Sequence, residues 1–234
     1  MLKIRKAEDR GQADLGWLAS QHTFSFGHFY DPDHMGFGPL RVINEDQVRP
    51  GAGFDTHGHQ NMEIITYVLK GALEHKDSLG TGSVIEPGDV QVMSGGSGIR
   101  HSEYNASTKD PVHFLQIWVM PEEDGQTPSY DQKRFFDVEE QASGFKLVAS
   151  GSGRDGSLKI GQDADLYAGR FIAGEHFTHT AELGRMLWLQ VAEGTLTVAG
   201  ETLASGDGLA VADEDVLSLD IVEDAHLLLF DMVP

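Results

Sequence analysis

The sequence predicts an all-β chain built as a duplicated β-sandwich, and three observations carry that prediction. The 28 Gly among 234 residues punctuate short apolar runs instead of gathering in a linker, which is the rhythm of strands joined by turns. Stretches with helical period are scarce. Two segments also echo one another: residues 64–73 with 87–90, and residues 186–196 with 205–208. Each pairs an apolar strand with a Gly turn, a returning strand and a Gly-Asp turn, the mark of an internal repeat.

In order along the chain, strands are expected over residues 40–44, 62–70, 72–75, 90–93 and 113–119, then over 158–162, 186–192, 195–198, 208–212 and 227–232. Most are rich in Val, Ile, Leu and aromatics and are bounded by Gly, Asp or Pro. Short helices are expected near residues 130–136 and around 165–167. The stretch 121–143 lacks strand alternation and reads as a connection. The chain therefore divides into an N-terminal domain at 1–122, a connection at 123–145 and a C-terminal domain at 146–234.

Charge and composition narrow the function. With 17 Lys and Arg against 37 Asp and Glu, the formal net charge is -20, so nucleic acid and anionic membrane surfaces repel the chain. The nine acids after residue 200 face no Lys or Arg in that stretch and read as a solvated face. Zero Cys excludes disulfides, a thiolate nucleophile, Cys-ligated zinc and iron–sulfur clusters. Any metal must be held by His and carboxylate oxygens. The N-terminal residues have no continuous apolar run of signal-peptide type, and no window approaches the roughly 18–20 apolar residues of a membrane helix. The expectation is a soluble, cytoplasmic protein.

One constellation carries chemistry. In Phe54-Asp55-Thr56-His57-Gly58-His59 the two imidazoles are two residues apart, so an extended strand projects them from one face. With 11 His in the chain, about 0.5 such pairs arise by chance, so the pair needs context. Context comes from Gly98-Ile99-Arg100-His101-Ser102-Glu103, where His101 and Glu103 repeat the spacing. Antiparallel folding of residues 62–93 brings the two pieces together at one barrel mouth. Neutral imidazoles with an anionic oxygen suit Fe(II), Mn(II), Ni(II), Cu(II) or Zn(II).

The order Gly-x5-His-x-His-x3-Glu from Gly51, followed by Gly-x2-His-x3-Asn over 98–105, resembles the two motifs of the cupin superfamily. His22-Thr23-Phe24-Ser25-Phe26, Met35-Gly36-Phe37-Gly38, Asn61-Met62-Glu63-Ile64, Gly98 to Glu103 and Gln116-Ile117-Trp118 look like the pirin family, over roughly residues 16–121 and more loosely beyond. The resemblance implies a bicupin, two jelly-roll β-barrel domains in one chain, in which His57, His59, His101 and Glu103 bind one divalent transition metal. Iron(II) stands first, with nickel, manganese, copper, cobalt or zinc as alternatives. Cupins often use the carboxylate placed like Glu63 instead. Glu103 is favoured because the pirin pattern assigns it and because Glu63 begins an apolar strand. Pirins usually carry Pro between the first two His, where this chain has Gly58 with its freer backbone.

Bacterial pirin-like proteins include quercetin 2,3-dioxygenases, so the resemblance implies an enzyme that cleaves a flavonol such as quercetin with O2 and releases carbon monoxide. Glu103 takes the proton-relay role, the ligand is a small flat aromatic molecule, and the chain is expected to be a monomer. The alternative is a non-enzymatic, metal-organised module that binds a protein partner, as the resemblance to regulatory pirins implies. A third reading is a structural cupin with a vestigial site.

The second repeat does not duplicate the ligands: equivalent offsets reach Thr180, Glu182, Leu219 and Ile221. His176 and His179 lack an obvious third partner. Residues 151–156 satisfy G-x-G-x-x-G, but a strand follows where a phosphate-binding helix is needed. His22, His28, His34, His75 and His113 read as structural histidines, and Met35, Phe37, Phe114 and Trp118 as core.

Overall fold

The computed structural model describes residues 1–137 and 144–234. Its strands in the first half are β1 (Leu2–Arg5), β2 (Gly11–Asp14), β3 (Leu18–His22), β4 (Leu40–Val48), β5 (Gly53–His59), β6 (Glu63–Lys70), β7 (Leu73–Asp77), β8 (Gly82–Ile85), β9 (Asp89–Ser94), β10 (Ile99–Asn105), β11 (Val112–Val119) and β12 (Ser129–Arg134). Those of the second half are β13 (Gly144–Ser150), β14 (Leu158–Lys159), β15 (Ala164–Phe171), β16 (His176–Thr180), β17 (Met186–Val198), β18 (Glu201–Ala204), β19 (Gly208–Val211) and β20 (Val216–Met232). The described helical content is two three-residue 3-10 turns, Ala7–Asp9 and Arg154–Gly156. The fold is all-β, with two cupin-type jelly rolls in one chain.

The first roll sets a seven-stranded sheet, in the order β12-β9-β6-β11-β4-β3-β2, against a four-stranded sheet, β5-β10-β7-β8. In the second roll the 13-residue β17 and 17-residue β20 run through one nine-stranded sheet. Their register shifts between Val191 and Leu196 bend the ladder. The first strand, β1, pairs with β19 and so stitches the start of the chain onto the second roll.

The largest apolar cluster lies between the halves. It joins Ile65, Tyr67, Leu115 and Ile117 of the seven-stranded sheet to Val148, Leu166, Trp188 and Phe230 of the second roll. At that seam Tyr67 Oη donates to His226 Nε2 at 2.6 Å, both side chains buried. A separate apolar cluster fills the second roll and includes Leu187, Leu189, Leu219 and Ile221. Two of the repeat-equivalent ligand positions are therefore core, and among the described residues that barrel offers no seat like the first. The repeat itself is visible in the turns: Gly71 and Gly194 both adopt left-handed φ, at 82° and 89°, where an L side chain is strained.

Both expected helices are strands. Residues 130–136 lie largely in β12, an added edge on β9 in which Tyr130 and Gln132 alternate with exposed neighbours. Residues 165–167 lie in β15, where Ala164, Leu166 and Ala168 are buried alternately with Asp165 and Tyr167. That is period two, which a three-residue reading misses. The connection is also not free of strand, since β12 lies inside it; its residues 138–143 fall outside the described residues. The G-x-G-x-x-G segment forms a turn capped by the Arg154–Gly156 3-10 helix, with no α-helix after it. Among the described residues no helix is long and apolar enough to cross a membrane.

Candidate metal centre

The centre is built on two paired strands of the smaller sheet. β5 and β10 run antiparallel with His57 opposite His101 and Gly58 opposite Arg100. A register shift between His101 and Glu103 sets Glu103 opposite Phe54 and re-aims the side chains on either side of the bulge. His57, His59 and His101 thereby converge, with one ligand nitrogen from each lying within 4.8 Å of the others. A second group of the same span joins His75, His101 and Glu103, all buried. His101 belongs to both, so the four expected residues occupy two overlapping groups.

Hydrogen bonds fix which imidazole nitrogens carry protons. His57 Nδ1 donates to the Asp55 carbonyl at 2.8 Å, which leaves its Nε2 with a lone pair. His75 Nε2 lies 3.0 Å from the Asp77 carboxylate, both side chains fully buried, and donates to it. The remaining His75 Nδ1 is then an acceptor, and His101 Nδ1, 3.4 Å away, is its donor. His101 Nε2 is left unprotonated and faces His57 Nε2 at 3.0 Å.

Two lone pairs directed at each other at that distance repel unless a cation lies against both. The spacing also matches nitrogens in adjacent positions of an octahedral metal, about 3 Å apart for bonds of about 2.1 Å. The donor set therefore fits a transition-metal ion. Electrostatics agree. Burial and the neighbouring His57 hold the His59 imidazole down at about 4. Burial with His57, His59 and His75 alongside holds His101 down at about 2. Both rings are thus neutral and able to coordinate at physiological pH.

Glu103 is fully buried, and burial pushes its carboxyl up to about 7, with Asp46 adding to the rise. Gln116 Nε2 donates to Oε2 at 2.9 Å, while Thr66 Oγ1 is 3.5 Å from Oε1. Glu63, the competing carboxylate, is in neither group. It accepts from Ser94 Oγ at 2.6 Å and from the Gly161 backbone, and so serves the seam between the halves. His176 and His179 pair singly with Asp220 and Asp231, and neither is in a metal-binding group among the described residues.

A cavity of about 680 Å³ opens onto His57, His59 and Glu103, within the range of small-molecule sites. Trp118 and Phe26 wall it, meeting edge to face at 5.4 Å, and His59 meets Trp118 likewise at 5.1 Å. The sequence alone reads Trp118 as core and His75 and His22 as structural histidines. Trp118 and His22 line the cavity, and His75 backs His101. The signal was present: Thr66 and Gln116 are polar residues inside otherwise apolar runs, and buried polar side chains need a partner.

The Pirin family profile matches residues 3–119, and that of the quercetinase C-terminal cupin domain matches residues 147–232. A protein of Escherichia coli strain K12 named quercetin 2,3-dioxygenase is 48% identical over 234 residues, covering 100% of both chains. The crystal structure of the bacterial pirin YhhW from Escherichia coli in complex with nickel(II) superposes with a TM-score of 0.95 at 48% identity, covering 100% of both chains. A Geobacillus kaustophilus structure, GK1651, shares the fold at 24% identity, with a TM-score of 0.82 over 99% of this chain and 95% of its own. On its sequence motifs, its two jelly rolls and these matches, the chain belongs to the pirin family of the cupin superfamily.

Proposed function

We propose that this chain is an oxygenase, a metal-dependent dioxygenase that cleaves a flavonol such as quercetin with O2 and releases carbon monoxide. The observation that carries the reading is the meeting of unprotonated imidazole nitrogens with a buried carboxylate at the wall of an aromatic-lined cavity. The name of the whole-length Escherichia coli relative supports the activity, and the nickel(II) complex of the related pirin supports a divalent ion. His57, His59, His101 and Glu103 hold that ion, with iron(II) or nickel(II) foremost. Residues 1–122 form the metal-binding unit and 146–234 a covering unit without ligands, acting as a cytoplasmic monomer.

When bound, the ion supplies Lewis acidity toward an enolic hydroxyl beside a carbonyl, and coupling to dioxygen. The chain's own residues supply the rest. Glu103 Oε2 is held by Gln116, so Oε1, with only the long contact to Thr66, is the oxygen that would meet the ion and, on loosening from it, accept the hydroxyl proton. Burial favours the protonated form of this carboxyl, so on loosening from the ion it would be ready to take and later return that proton. Trp118 and Phe26 confine a flat ligand and limit water around it. An open cavity of this size favours catalysis over the protein-binding alternative, for which a sealed, coordinatively complete site is expected.

The test is aerobic incubation of nickel- or iron-loaded protein with quercetin, following loss of its visible absorbance and headspace carbon monoxide. Loss above the free-metal control, abolished in His101→Ala, is the expected result. No loss above that control refutes the reading.

A further inference from the structure

The cavity has a polar strip of which the metal chemistry uses one end only. Thr66, Gln116, Asn44 and His22 sit directly opposite one another on the adjacent strands β6, β11, β4 and β3. Paired residues of antiparallel strands share a face, and Gln116, Asn44 and His22 all line the cavity. Thr66 donates to Gln116 Oε1 at 3.0 Å, and Gln116 in turn donates to Glu103 at 2.9 Å, so both are committed. Among the described residues, however, Asn44 Oδ1, His22 Nδ1 and Asp46 Oδ1 have no hydrogen-bond partner, although their side chains are buried. Asp46 stands two residues beyond Asn44 on the same face and lines the same cavity. Most buried polar groups are paired, so these three on one wall, with the Trp118 indole nitrogen beside them also unpaired, point to a ligand.

We propose that His22, Asn44 and Asp46 form a hydroxyl-reading subsite, which takes the hydroxyls on the pendant ring of a planar polyphenol whose enolic end lies among the imidazoles. Strand spacing puts His22 about 10 Å from Gln116, a reach suited to a three-ring molecule lying along the sheet. Asn44 Oδ1 and Asp46 Oδ1 accept from phenolic O–H groups. His22 is neutral, held down by burial and Arg10, and its Nδ1 meets a hydroxyl as donor or acceptor according to tautomer. Phe26, edge to face with His22 at 5.2 Å and with Trp118 at 5.4 Å, continues the aromatic wall from metal centre to subsite. The direction of the ligand rests on the dioxygenase reading; the recognition of hydroxyls does not.

The test uses metal-loaded protein and calorimetric titration with two flavones, luteolin and chrysin. Both lack the enolic hydroxyl that the oxygenase reaction needs; luteolin carries two hydroxyls on its pendant ring and chrysin none. Luteolin should bind about tenfold more tightly than chrysin, and that ratio should fall to within about twofold in Asn44→Leu and in His22→Phe. Equal binding by the unmodified protein overturns the proposal without need of any variant, as does a ratio that survives in a folded variant. Quercetin and galangin, the corresponding flavonols, separate the two readings. Turnover of both with equal kcat/KM, and no preference between the flavones, removes the subsite and keeps the dioxygenase. A flavone preference without any flavonol turnover does the reverse.

Discussion

His57 Nε2 and His101 Nε2 face each other at 3.0 Å while the second nitrogen of each ring is committed as a donor, His57 to the Asp55 carbonyl and His101 to His75. Without a cation the two lone pairs repel, so binding one relieves a local cost and favours the folded state. At a free nickel(II) concentration 100 times the dissociation constant, the folded state gains about 2.7 kcal/mol. The melting temperature should rise on nickel addition and fall again with chelator, and His101→Ala should show neither response. A melting temperature indifferent to metal in the unmodified protein counts against the cage.

Asp77 fixes the tautomer of His101 at second hand. Its carboxylate draws the proton of His75 to Nε2, which leaves His75 Nδ1 to accept from His101. In Asp77→Asn the amide can present a donor to His75 Nε2, which moves the His75 proton to Nδ1 and turns His101 over. Metal affinity should fall by about 10- to 100-fold, measured by competition with a chromogenic chelator. Affinity within twofold of the unmodified protein would show that the relay is idle.

Acid should loosen the seam between the two rolls. His226 accepts from Tyr67 Oη, and burial, with Arg170 nearby, lowers its pKa from 6.5 to about 4. The unfolded chain therefore takes up a proton near pH 6.5 that the folded chain resists until about pH 4. The stabilisation is whole above pH 6.5 and is lost as pH falls through 4, a change on the order of 3 kcal/mol. Denaturant midpoints between pH 7 and 4 should fall less steeply in His226→Gln than in the unmodified protein. Parallel curves would remove His226 from the account.

Gly58 has no need to be glycine. Its φ is not in the left-handed region, and an added Cβ meets the Ile99 carbonyl oxygen only at 3.7 Å, an ordinary contact. Gly58→Ala should therefore stabilise the metal-free protein by about 0.4–1 kcal/mol through the unfolded chain, read as a higher denaturant midpoint. Destabilisation would mean that this strand needs the freedom of glycine after all.

The fold class was legible because its signals are local: apolar runs, Gly turns and a repeated Gly-Asp turn. The His-x-His and His-x-Glu spacings were legible for the same reason, since period two places both members on one strand face. What escaped depends on pairing across strands. The edge strand Ser129–Arg134 is mostly exposed and exists by its ladder with Asp89–Ser94. His75 reaches His101 only because β7 pairs with β10. Trp118 lines the cavity because it shares a face of β11 with Gln116, two residues away, and nothing in Gln116-Ile117-Trp118 distinguishes a cavity wall from a core. The strip from Thr66 to His22 is likewise a property of register over four strands.

The most direct measurement is an anomalous difference map from a crystal of the nickel-loaded protein, collected across the nickel absorption edge. The account predicts one strong peak in the first roll, about 2.0–2.2 Å from a nitrogen each of His57, His59 and His101 and from a carboxylate oxygen of Glu103. A peak elsewhere, or none at these residues in protein shown to carry nickel, would contradict it.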